Sequence, residues 1–399
     1  MSILRLTSIK IRNCFSITGC NCGVSSLPLR LRLGSSKPGK TSCLVLSDIS
    51  SVLYTVMYNS NMRKSMVAIS IFVSAVVAGI TGWVIANLPE ETKLVFDAEP
   101  TPTPTPLARY EIENLAKTEI PKGEIEIGEK ILEEDGYTSY KFRHKFDPTF
   151  TRTEEKMVTG QVNLPAGDEK EYPLILMIRG YIDQELYETG IGTKQAAAYF
   201  AENGFITIAP DFLGYGGSSH ESDNIYETRF QTYTTVLSIL NSLEFIKEWN
   251  KKDLFIWAHS NGGQIALTTL AITGDEIPTT LWAPVTATFP YSILFYTNES
   301  PDEGKYIRSE LSKFEDLYDA SLFSFTNFPE RINAPLQIHQ GTADDAIPVE
   351  WTESFVAKMR AIEKEVEYFE YPGADHNLRP DWDRVVIRDI DFFKSFIQN

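Results

Sequence analysis

Six short apolar runs, alternating with stretches of helical spacing, constrain this chain more than any other feature. They are PLILMI (173–178), FITIAP (205–210), LFIWA (254–258), TTLWAP (279–284), APLQIH (334–339) and VEYFEY (366–371). Near-continuous apolar runs of this length suit strands covered on both faces. Between them, KQAAAYFAEN (194–203) stops at Gly204 and GGQIALTTLAIT (262–273) stops at Gly274. A further helix is expected around Thr235–Trp249, where Val236, Ile239, Leu240, Leu243 and Ile246 share one stripe. Strand and helix in alternation predict an α/β fold with a doubly wound, mostly parallel sheet. Upstream, GEIEIGEKI (123–131), TSYKFRHKF (138–146) and KMVTGQVNL (156–164) alternate in polarity and predict antiparallel strands at its start.

The folded region is expected to begin near Leu107, leaving a long N-terminal portion to explain. Ser65–Pro89 holds no charged residue, with Arg63 and Lys64 before it and Glu90 and Glu91 after it. As a helix it would extend about 37 Å, enough to cross a hydrocarbon core of roughly 30 Å. Its basic N-terminal flank predicts an anchor with the C-terminal domain outside the cytoplasm, or secretion if the segment is a cleaved signal. A buried core helix is the alternative. Residues 1–61 are basic and Ser-rich, and read as a start upstream of a true one at Met62, an organelle leader or a disordered tail. Glu99–Pro106 alternates Thr with Pro, as an extended stalk or plain linker does. The expected divisions are 1–61, 62–89, 90–106 and 107–399.

Charge narrows the partners. The 399 residues carry 37 Lys and Arg against 54 Asp and Glu, and residues 62–399 alone stand near −23. So acidic a body repels phosphate backbones, which excludes nucleic acid as the expected ligand and favours small neutral substrates. The four cysteines (Cys14, Cys20, Cys22, Cys43) lie in the first 43 residues without paired spacing or a nearby His. No zinc site, metal or other cofactor is therefore expected, and the folded region has no thiol for a disulfide or a nucleophile.

The chemistry concentrates in Leu254–Gln264, where a strand runs into Ser260 and leaves as a helix. Ala258 and Gly262 flank Ser260 at two residues on either side, an A-x-S-x-G form of the nucleophile elbow. A turn that sharp needs small neighbours, and it aims the Asn261 N–H at an adjacent oxyanion. The plainer reading is a Ser capping a helix. A serine nucleophile needs a base, and the chain has five histidines: 144, 220, 259, 339 and 376. His259 adjoins Ser260 and is directed elsewhere, whereas His376 follows the last strand, where open parallel sheets place ligand-facing loops. The carboxylate that orients it is expected after the APLQIH strand, at Asp344 or Asp345.

The segments Ile178–Tyr181, Ala209–Ser218, Ala258–Gly263, Gly341–Pro348 and Tyr371–His376 together resemble the catalytic domain of prolyl oligopeptidase-type serine peptidases and their α/β-hydrolase relatives. The likeness runs over about residues 155 to 399. It implies the α/β-hydrolase fold, a catalytic triad of Ser260, Asp344 and His376, and an oxyanion hole from the backbone N–H groups of Tyr181 and Asn261. Arg179 stands where many relatives have His, and Asp211 reads as a turn-forming residue. Peptidase relatives usually carry an upstream propeller of several hundred residues, and no blade-length repeat is visible here.

Three functions follow as expectations: a membrane-tethered or exported serine hydrolase acting on a peptide or ester, a carboxylesterase of the same fold, or a silent binding domain on that scaffold. Nothing in the sequence sets an oligomeric state. A helical cap is expected over about 285–333, whose Phe289, Tyr291, Phe295, Tyr296, Phe323 and Phe325 form either a substrate lid or a packed core.

Overall fold

The structure is a computed structural model that describes residues 72–80, 83, 86, 105–167, 169 and 171–397. The chain divides into two units, residues 1–101 and 102–399. In the first, the described residues are helical and expose Phe72, Val73, Val76 and Ile80. The rest of the predicted membrane segment, residues 1–61 with their four cysteines, and most of the Thr-Pro stalk lie outside the described residues. Among the described residues no helix is long and apolar enough to cross a membrane.

The second unit is built on one sheet whose described strands are β1 (Glu124–Glu133), β2 (Tyr137–Phe146), β3 (Lys156–Pro165), β4 (Tyr172–Ile178), β5 (Ile206–Pro210), β6 (Trp249–His259), β7 (Thr279–Trp282), β8 (Leu336–Gly341) and β9 (Val366–Tyr371). They lie in the order β1-β2-β3-β5-β4-β6-β7-β8-β9. β1 to β3 pair antiparallel, β3 joins β5 antiparallel, and every later pairing is parallel. The three polarity-alternating segments and the six apolar runs thus all form strands.

Described helices are α1 (Ile112–Lys117), α2 (Lys194–Glu202), α3 (Ile225–Leu240), α4 (Asn261–Thr273), α5 (Tyr291–Leu294), α6 (Lys305–Glu315), α7 (Val349–Ala361) and α8 (Trp382–Ser395). The period-two geometry of the strands separates two cores. Leu174, Leu176, Ile178, Ile256 and Ala258 face α3 and α4, while Ile175, Met177, Phe255 and Trp257 face α2 and α8. Each such fully buried aliphatic side chain contributes about 1.5–3 kcal/mol of transfer energy.

One helix differs from its expected bounds. The stripe around Thr235–Trp249 predicts a helix there, but α3 spans Ile225–Leu240 and Trp249 begins β6. Asn224 caps the start, its side chain accepting from the N–H groups of Tyr226 and Glu227, and the chain turns at Asn241. Leu243 and Ile246 are buried all the same, beyond the helix end, so their spacing continued the stripe without continuing the helix.

Residues 285–333 form α5, α6 and several 3-10 turns. Their aromatics divide between two roles. Phe289, Phe323 and Phe325 are buried, with Phe323 stacked on Phe230 at 4.8 Å. Tyr291, Phe295 and Tyr296 instead gather around Trp351 of α7, ring centroids 5.8, 4.8 and 6.3 Å away.

Candidate active site

The parallel strands all end at one edge of the sheet, and the residues singled out by sequence lie just past those ends. Ile178 of β4 pairs with Ala258 of β6, so two residues further along each strand Gly180 comes beside Ser260. Gly341 of β8 pairs with Tyr371 of β9, which brings the loops carrying Asp344 and His376 together.

Ser260 sits between β6 and α4 at φ 57°, ψ −123°, a region costly for any residue with a Cβ. Three contacts hold it there. Its N–H donates to Trp282 O at 2.9 Å, and its carbonyl accepts from Gly263 N at 2.9 Å and Val285 N at 3.0 Å. The turn also requires Gly262, because a Cβ there would lie 2.1 Å from Ile178 O and 2.6 Å from Arg179 O. The small residue read from the motif is thus imposed by the end of the neighbouring strand.

Asp344 has its side chain fully buried. Its Oδ1 accepts from the N–H groups of Ala346 and Ile347, each at 2.9 Å, and its Oδ2 from Gln340 Nε2 at 3.0 Å. His376 Nδ1 lies 3.0 Å from both carboxylate oxygens. Burial works to raise the Asp344 pKa, but the hydrogen bonds from His376, Ile347 and Ala346 together outweigh it and hold the carboxyl below its ordinary range. Asp345 is exposed. With Asp344 accepting at Nδ1, the imidazole keeps Nε2 free of its proton and able to act as a base. His376 is about one-fifth exposed, and no hydrogen bond within 3.5 Å joins its ring to Ser260 Oγ. Such bonds are often long in the absence of substrate.

Sequence reasoning set aside or passed over three supporting residues. His259 does turn away from Ser260, yet its Nε2–H donates to the backbone carbonyl of His376 at 3.0 Å, and the two rings lie 4.7 Å apart. Burial, then the neighbouring His376, pushes its pKa down to about 4, so it stays neutral beside His376. Gln340 clamps Asp344 and is itself held by Thr352 Oγ1 at 2.8 Å. Only adjacency in sequence to Ser260 and Gly341 could have marked the first two.

Tyr181 and Asn261 occupy the starts of the segments leaving β4 and β6, and neither N–H has a protein acceptor among the described residues. Asp211 is buried and accepts from the hydroxyls of Thr159, Tyr187 and Thr189, which fits a role in its own loop. His144 and His339 are buried within the sheet. Thr286, Ala287 and Thr288, immediately after Val285, line a cavity of about 280 Å³ with Tyr291, Trp351 and Lys358. Among the described residues no cluster of three or more His, Cys, Asp or Glu is placed to hold a metal ion.

Solved structures with similar folds include the acetyl xylan esterase from Paenibacillus sp. R4, 16% identical over 73% of this chain and 94% of that one, with a TM-score of 0.54. Acetyl xylan esterase 1 from Thermoanaerobacterium sp. JW/SL YS485 is 14% identical, with 74% and 95% of the two chains covered and a TM-score of 0.50. A puromycin-hydrolyzing peptidase from Mycobacterium tuberculosis is 16% identical over 68% of this chain and 39% of that one, with a TM-score of 0.46. The two esterase likenesses place the second unit in the α/β-hydrolase fold. No curated protein sequence matches the chain. The model of the prolyl oligopeptidase family matches residues 192–399, more than half of the chain. The protein therefore belongs to the prolyl oligopeptidase family and is a serine hydrolase.

Proposed function

We propose that this serine hydrolase acts through an acyl-enzyme on Ser260 and prefers esters of apolar acyl groups. The observation that carries the reading is the buried Asp344 carboxylate hydrogen-bonded to His376 Nδ1, on loops flanking a serine held in a strained elbow. Ser260 Oγ attacks the carbonyl carbon while His376 Nε2 takes its proton, and the Tyr181 and Asn261 N–H groups face the resulting oxyanion. Collapse breaks the bond to the alcohol or amine, which leaves with the proton from His376. Water then enters with His376 as base and releases the acid, restoring Ser260.

Preference for esters rests on three supports. Two of the similar structures are esterases. The cavity after β7 is walled by Ala287, Tyr291, Trp351 and Phe355 together with polar Thr286, Thr288 and Lys358, and its aromatic wall suits an acyl chain. An alcohol is also a better leaving group than an amine. The net acidic body disfavours anionic substrates.

The decisive experiment measures turnover of p-nitrophenyl esters and matched aminoacyl amides, with Ser260→Ala in parallel. Esters should be cleaved faster than amides of the same acyl group, and Ser260→Ala should lose several orders of magnitude in kcat. Near-normal turnover by Ser260→Ala would overturn the mechanism, and amides cleaved as fast as esters would make the protein a peptidase. We further propose that residues 65–89 tether the hydrolase, with its catalytic unit outside the cytoplasm. The uncharged run, its basic flank and the exposed apolar side chains on helical residues 72–80 support this.

A further inference from the structure

Arg179 directly follows β4 and is only 5% exposed. Burying a guanidinium is costly unless its charge is answered, and the usual answer is a carboxylate. Among the described residues Arg179 forms no salt bridge. Asp211, whose backbone Arg179 does reach, spends its carboxylate on the hydroxyls of Thr159, Tyr187 and Thr189 and offers Arg179 its main-chain carbonyl, at 2.8 Å. The rest of the compensation comes from rings, with the guanidinium carbon 4.1 Å from the Tyr215 centroid, 4.6 Å from Tyr187 and 5.4 Å from Phe212. The second hydrogen bond, from Nη1 at 2.9 Å, goes to the carbonyl of Gly180.

That carbonyl belongs to the same peptide unit as the Tyr181 N–H. The unit is trans and planar, so C=O and N–H point in opposite directions, and a clamp on the oxygen sets the direction of the N–H. A charged donor on the carbonyl also polarises the unit and strengthens the N–H as a donor. The unit lies against the nucleophile, since a Cβ on Gly180 would be 2.9 Å from Ser260 Cβ and 3.5 Å from Ser260 Oγ. We infer that Arg179 is a positioning residue that holds the Gly180–Tyr181 peptide with its N–H turned to the oxyanion forming on Ser260. The inference rests on the acyl-enzyme reading above. If Arg179 merely tied the loop after β4 to the loop after β5, its loss would lower stability, or raise KM, without a selective loss of transition-state binding.

The test compares wild type, Arg179→Met, Arg179→Lys and Ser260→Ala in the full chain on an aryl ester. An aryl boronic acid serves as the probe, since it forms a tetrahedral adduct on the serine. For a charge-assisted bond that orients one oxyanion donor, Arg179→Met should lower kcat by about 10- to 100-fold with KM within about twofold. Boronate affinity should fall by a similar factor. Arg179→Lys should lie between, because one ammonium cannot grip both carbonyls as the planar fork does. Should Arg179→Met fail to fold by circular dichroism, the Lys variant, which keeps the buried charge, decides the matter. A folded variant with kcat within twofold of wild type, or with its whole loss in KM, overturns the inference while Ser260→Ala is inactive. Activity in Ser260→Ala overturns instead the mechanism on which it rests.

Discussion

Replacing Asp344 by Asn separates the orienting carboxylate from every neighbouring acid, and the structure shows how the loss arises. The two side chains have the same shape, but one carboxylate oxygen becomes an NH₂ donor. The N–H groups of Ala346 and Ile347, both 2.9 Å from Oδ1, keep the amide oxygen on their side. The NH₂ then takes the place of Oδ2, facing Gln340 Nε2 at 3.0 Å, where two donors oppose each other, and facing His376 Nδ1. Nδ1, 3.0 Å from either position, now meets a donor where Oδ2 stood, which favours the tautomer with the imidazole proton on Nε2, unable to take one from Ser260. The same carboxylate-to-amide change in Ser-His-Asp proteases costs about 10⁴ in kcat, or about 5 kcal/mol of barrier. We therefore expect a kcat loss of about 10⁴ for Asp344→Asn with native circular dichroism, and a change within about twofold for Asp345→Asn, which replaces an exposed side chain. Steady-state turnover of a p-nitrophenyl ester measures both. A loss under tenfold at Asp344, or an equal loss at Asp345, would refute the orienting role.

Two further outcomes are expected. His144 is fully buried with Nε2 2.9 Å from Ser238 Oγ, and burial pushes its pKa from 6.5 down to about 4 against a smaller opposing hydrogen bond with the Glu124 backbone. The unfolded chain takes up this proton first as pH falls, so its contribution to stability is complete above about pH 6.5 and is lost toward pH 4, by up to about 3 kcal/mol. Denaturant midpoints should accordingly fall less over that window in His144→Phe than in wild type, and equal slopes would rule the contribution out. Protease added outside intact cells should release the catalytic unit by cutting near residues 100–106, whereas release only after lysis would reverse the proposed topology.

Much of this architecture is local and so could be read along the chain. Apolar runs long enough for a strand but too short for most helices became β4 to β9; those inside the sheet are covered on both faces and need no polar alternation, whereas the edge strand β9 exposes Glu367 and Glu370. The Ser260 turn was visible because a strand entering and a helix leaving one residue demand small neighbours. What the local pattern misjudged was the reach of α3: an apolar stripe records which side chains face the core and not where the backbone stops being helical, and Asn224 and Asn241 decide that.

Tertiary structure decided everything that depends on residues distant in sequence becoming neighbours. The parallel order of β6, β7, β8 and β9 sets Ser260, Asp344 and His376 at one edge, and the pairing of β4 with β6 sets Gly180 against Ser260. Only packing shows that Gln340 holds Asp344, that His259 braces the backbone of His376, and that Phe289 and Phe323 fill a core while Tyr291 and Phe295 stand around Trp351. Arg179 is the clearest case, since the sequence marks it as a departure from the family pattern and says nothing of what surrounds it. Its surroundings are set by two loops: the one after β5 brings Phe212, Tyr215 and the Asp211 main-chain carbonyl around it while turning the Asp211 carboxylate to hydroxyl groups, and the one after β4 brings Tyr187. A chain pattern encodes which groups want burial, but the direction of a buried charge is fixed only by the dipoles the fold places around it.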